Sequence, residues 1–98
     1  MGNVVAIDDP SDYEVVTRRI RRLLAEGDLE IKPHALQRMA ERKYLVGDIL
    51  YVLRLGIVVS HRVEKGVCRW KVRGVTVERK RATCIVEIDG LLIVVTVI

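Results

Sequence analysis

The hydrophobic period of this chain changes once, at Gly56, and that change limits what the chain can fold into. Before Gly56 the apolar residues recur at helical spacing. Tyr13, Val16, Ile20, Leu23 and Leu24 form one stripe, which predicts a helix from about Tyr13 to Glu26. Asp9-Pro10-Ser11-Asp12 supplies helix-start chemistry and Gly27 a stop. Leu29–Lys32 alternates briefly and reads as a short strand or an extended link. Pro33 suits a first helical residue, because that position needs no N–H. A second helix is then expected from His34 to about Lys43, with Ala35, Leu36, Met39 and Ala40 on one side. Gly47-Asp48 opens a third, whose apolar side holds Ile49, Leu50, Val52 and Leu53, and Gly56 ends it.

After Gly56 the period is two. Ile57–Arg62 reads as a strand, and Glu64-Lys65-Gly66 as a turn. In Val67–Arg73, Cys68, Trp70 and Val72 point one way while Arg69, Lys71 and Arg73 point the other. Gly74 marks a turn or bulge, and Arg79–Ile88 is the next strand. Asp89-Gly90 is a two-residue hairpin signal. Leu91–Ile98 is almost all apolar, as suits a strand covered on both faces. The expected fold class is α+β: N-terminal helices packed on a four-stranded, mainly antiparallel sheet. Ninety-eight residues suit a single domain spanning 1–98, with 1–10 a loose lead-in, 13–56 a helical half and 57–98 the sheet.

Charge follows the same division. Residues 1–53 hold eight basic and nine acidic side chains; residues 54–98 hold nine basic and four acidic. The positive excess belongs to the strands, which points to a polyanion partner or to a solvated basic surface. Met1–Ile7 is apolar but short, and Asp8 and Asp9 follow, so no signal peptide is read. The longest apolar run, Leu91–Ile98, is too short to span a bilayer. Cys68 and Cys84 lack zinc spacing, and the carboxylates are scattered. The expectation is a cytoplasmic protein with reduced thiols, no metal, no cofactor and no membrane partner. No Gly-rich phosphate loop occurs, and no Ser or Cys nucleophile has motif support.

Two constellations could carry chemistry. His34, Arg38 and Arg42 stand four residues apart and line one polar face of the second helix. An imidazole beside two guanidiniums can hold a phosphate and move a proton near neutral pH. The plainer reading has His34 capping or packing locally and the arginines paired with Glu41 or Glu30. The second constellation is Arg69, Lys71 and Arg73, with Arg79, Lys80 and Arg81 beyond the next turn. Like charges on one strand face repel unless a polyanion or acidic neighbours compensate. The plainer reading here interleaves them with Glu78 and Glu87. Trp70 alternates with core positions, which favours burial over base stacking. His61 is either a reserve acid/base group or an ordinary surface histidine. Thr96 either points into a pocket or simply suits a strand.

His34-Ala35-Leu36-Gln37-Arg38-Met39-Ala40-Glu41-Arg42 resembles the HAxxRMxER signature of a family of small bacterial and archaeal domains of unknown function, DUF4258-like. Gly56-Ile57-Val58, Arg69-Trp70-Lys71-Val72-Arg73-Gly74 and Ile93-Val94-Val95-Thr96-Val97 match its later strand elements, so the likeness covers about residues 29–98. The family usually has Gly after the second arginine and Ser or Thr as the next helix cap; Lys43 and Leu45 stand there in this chain. Such domains look distantly similar to the RelE, BrnT and MqsR toxins, and Arg19, Leu23 and Gly27 give the opening helix an MqsR-like pattern. The resemblance implies a RelE/MqsR-like sheet, metal-independent RNA cleavage, and neutralisation by a nearby-encoded antitoxin. The residues that would carry it are His34, Arg38, Arg42 and Lys71 in catalysis, with Arg69, Arg73, Arg81 and His61 on the RNA. A non-catalytic nucleic-acid-binding module and a protein-interaction domain are the alternatives, and nothing in the residues fixes the oligomeric state.

Overall fold

A computed structural model describes residues 9–98; the expected loose lead-in at 1–10 lies almost wholly outside them. Three helices, α1 (Tyr13–Ala25), α2 (Pro33–Arg42) and α3 (Val46–Leu55), stand within a residue or so of their sequence-predicted bounds. Asp12 caps α1 by accepting the Val15 N–H, and Pro33 opens α2. Lys43 closes α2 in the left-handed conformation, φ 60°, at the position where glycine was expected. Leu45 has no capping oxygen, and Asp48 Oδ2 accepts its N–H instead, at 2.9 Å.

The sheet has five strands, not four. β1 (Leu29–Ile31), β2 (Ile57–Glu64), β3 (Val67–Val75), β4 (Arg81–Ile88) and β5 (Leu92–Val97) lie in the order β1-β5-β4-β3-β2. β2 to β5 form the expected antiparallel meander. The correction is β1, which pairs parallel to β5 with Leu29 opposite Leu92 and Ile31 opposite Val94. Three residues carry too little alternation to declare a strand, and the partner lies some sixty residues away along the chain. Two further expectations are corrected. Gly74 sits inside β3 and is not a turn, and β4 begins at Arg81. Residues 76–80 close instead around the buried Thr76, whose N–H donates to Lys80 O (2.8 Å) and whose hydroxyl accepts the Lys80 N–H (3.1 Å).

Gly74 is needed because the chain leaving α3 passes directly over it. A Cβ on Gly56 would meet Val52 O and, at 2.7 Å, Arg73 O; one on Gly74 would lie 3.2 Å from Gly56 Cα. Two backbones therefore touch where α3 hands over to β2.

All three helices cover one face of the sheet. Val16, Ile20 and Leu23 of α1, Ala35 and Met39 of α2, and Ile49, Val52 and Leu53 of α3 form one buried cluster. Val58, Trp70, Val72, Ala82, Cys84, Val86, Leu92, Val94 and Val97 supply the sheet side of it. Burial pushes the Cys84 thiol up to about 12, so it stays a packed, unreactive group. α1 also guards the outer edge of β2: the Thr17 hydroxyl accepts the Val58 N–H (3.2 Å), and Arg21 donates to Gly56 O (3.1 Å). Among the described residues no helix is long and apolar enough to cross a membrane.

Candidate nucleic-acid interface

The face of the sheet opposite the helices is assembled by register. Arg69, Lys71 and Arg73 alternate with the core residues Trp70 and Val72, so they stand on this open face as the sequence predicts. Cross-strand partners share a face. Lys71 lies opposite Ser60 and Ile85, and Ile85 opposite Thr96. Arg73 lies opposite Ile57 and Thr83; Arg69 lies opposite Arg62. Arg81, opposite Val75, continues the cationic strip onto β4.

Two β-bulges set this row. The β2–β3 register slips between Val58 and Ser60, and the β4–β5 register slips between Val94 and Thr96. Without them Ser60 would share the inward face of Val58, and Thr96 that of Val94. With them, Ser60, Arg62 and Thr96 turn outward. A cavity of about 480 Å³ results, lined by Ser60, His61, Arg62, Glu64, Arg69, Lys71, Ile85, Thr96 and Ile98. Arg73, Gly74, Val75, Arg81 and Thr83 line a neighbouring hollow of about 520 Å³.

The strip is electrostatically uneven. Arg69 Nε meets Glu87 Oε2 at 2.7 Å and its Nη1 lies 3.9 Å from Glu64. Arg62 also approaches Glu64, at 4.0 Å. Arg69 is thus largely neutralised by Glu87, as the interleaving reading required, whereas Glu78 pairs with Lys80 instead. Lys71, Arg73 and Arg81 have no carboxylate within 4 Å among the described residues. These three form the free positive charge of the face.

The remaining candidates stand apart from that charge. His61 rims the cavity that holds Ser60 and Lys71, but it lies opposite the buried Trp70, so its ring faces α1. Its Nδ1 shares a 2.8 Å hydrogen bond with the Tyr13 hydroxyl, and the rings meet edge to face. On α2, Ala35 and Met39 face the core, while His34 and Arg42 are exposed with no hydrogen-bond partner among the described residues. Arg38 donates from Nε to Val97 O (3.4 Å) and pairs with Glu41 at 3.5 Å. It therefore covers the outer edge of β5 beyond the end of β1, next to Thr96 and Ile98 of the cavity. Glu30 is taken by Lys32, at 3.1 Å. The cavity on the open face does not include His34, Arg38 or Arg42.

Ser60, Arg62, Thr83 and Ile85 were not singled out as site residues by sequence. Thr83 and Ile85 could have been found from the alternation Arg81, Thr83, Ile85, Glu87. Ser60 and Arg62 could not, because the bulge before Ser60 is a property of the pairing and leaves no local mark.

Fold and site together define an α+β domain with a one-sided helical layer and a bare, cation-bearing sheet face. The chain belongs to the family described as a domain of unknown function, DUF4258, whose model matches residues 31–98. The match takes in α2, α3 and β2 to β5 and begins at the last residue of β1, so α1 precedes it. No curated protein and no solved structure matches the chain.

Proposed function

We propose that the open sheet face binds the phosphodiester backbone of RNA. The observation that carries this reading is the trio Lys71, Arg73 and Arg81, which has no acidic partner among the described residues and stands on a face the helices leave uncovered. Residues two apart on a strand are separated by about 7 Å, so successive cations can meet successive phosphates. Like charges held this close cost stability in the free protein, and a polyanion relieves the repulsion. Fluorescence anisotropy of labelled RNA across a salt series tests it. Binding that weakens steeply with salt, and is lost in the Lys71→Ala/Arg73→Ala/Arg81→Ala variant, is the expected result. Folded wild type that ignores RNA at low salt would sink the proposal.

A second reading adds toxin-type, metal-independent cleavage, with an antitoxin partner covering the same cations. It is favoured by the Arg38–Val97 contact, which sets the His34-bearing helix against the strand that carries Thr96. In that chemistry the RNA 2′-oxygen attacks the adjacent phosphorus and the P–O5′ bond breaks. The 2′-hydroxyl proton passes to a base, and the 5′-oxygen takes a proton as it leaves. His34 is the base in this reading, with Arg38 and Arg42 on the same helix stabilising the charge on phosphorus, while Lys71, on the opposite face of the sheet, holds a flanking phosphate. Products ending in 2′,3′-cyclic phosphate, formed in the presence of chelator and absent with His34→Ala, would support it. RNA that is bound but left intact by the wild type would eliminate cleavage and leave binding standing.

A further inference from the structure

The four aromatic residues of the chain all lie away from the open face. Trp70 is buried on the helix side and donates its indole N–H to Pro10 O at 2.9 Å. Tyr13 is held against His61. Tyr44 packs against the core and donates its hydroxyl to Arg81 O at 3.3 Å. Tyr51 lies half-buried on α3, and the chain has no Phe. Proteins that grip single strands rely on rings on which unstacked bases lie. Guanidinium planes can take that part, but Arg73 and Arg81 are exposed, and no ion pair among the described residues fixes their planes.

What the face offers is hydroxyls set beside cations. Ser60 stands opposite Lys71 and Thr83 opposite Arg73. Neither hydroxyl has a hydrogen-bond partner among the described side chains. In an RNA duplex the bases stack on one another, and the outside presents phosphates and 2′-hydroxyls side by side. We infer that the ligand of the open face is double-stranded RNA, held by its sugar–phosphate backbone with no base read. This rests on the nucleic-acid reading of the same face given above.

The test compares a labelled RNA duplex of about twenty base pairs, each of its separated strands, and a second duplex of unrelated sequence at one salt concentration. The duplexes should bind at least about tenfold more tightly than either strand and within about twofold of each other. The Ser60→Ala/Thr83→Val variant should lose several-fold in duplex affinity at an unchanged melting temperature. A single strand bound as tightly as the duplex, or tenfold discrimination between the two duplexes, would overturn the duplex inference and leave the RNA-binding face intact. Failure of every RNA to bind overturns both.

Discussion

Strand β3 is read from two sides, and its sides obey opposite rules. Inward, Trp70 and Val72 are almost wholly buried against three helices. Outward, Lys71 stands between Ser60 and Ile85 and Arg73 between Ile57 and Thr83, neither with a carboxylate within 4 Å among the described residues. The inward side gains stability from removing apolar surface from water. The outward side concentrates like charge, which contributes nothing to folding and is retained at some cost. Within one nine-residue strand the covered side carries the fold, and the open side is free to carry a partner.

That division can be broken by a substitution whose effect crosses the sheet. Leu53→Ala, on the covered side, should lower unfolding free energy by about 3 kcal/mol in urea titrations and leave the RNA affinity of the folded fraction unchanged. The triple replacement of Lys71, Arg73 and Arg81 should do the reverse. Affinity should fall about ten- to a hundredfold at low salt, and the slope of log K against log salt should flatten by about one per cation removed. Its melting temperature should hold or rise slightly. A large loss of stability there would mean that the open face is structural after all.

Two smaller effects sharpen the contrast. Lys43→Gly relieves a left-handed lysine on the helical side and should stabilise by about 1 kcal/mol, read as a rise of a few degrees in melting temperature, with no change in binding. Glu87→Gln releases Arg69 from its 2.7 Å ion pair and should raise RNA affinity a few-fold while steepening the salt slope by about one. Unchanged affinity would place Arg69 outside the interface.

Much of the covered side was legible because it is written in local periods. The helical stripe of Val16, Ile20 and Leu23, the alternation through Trp70, and the stops at Gly27 and Gly56 each need only a few neighbouring residues. The misses belong to pairing. β1 is a strand only because Val94 and its neighbours lie alongside it. Ser60 faces outward only because the β2–β3 register slips, and a slip has no signature within its own strand; Thr96, weighed as a pocket residue, reaches the cavity through the second slip. Glu87 was weighed as a partner for the cationic stripe; that it takes Arg69 and leaves Lys71 free follows from the β3–β4 register. Arg38 matched the family signature, yet its contact with the β5 edge depends on how short β1 is.

Helix α1 lies upstream of the stretch the family shares, and it still provides three of the eight buried helical residues of the interior and shields the flank of β2. In this chain the shared region thus leans on α1 for part of its interior. Trimmed to residues 31–98, it would bare a greasy trough beside an unsatisfied strand, the kind of rim along which molecules add to one another. In this chain α1 is the lid that keeps that trough closed.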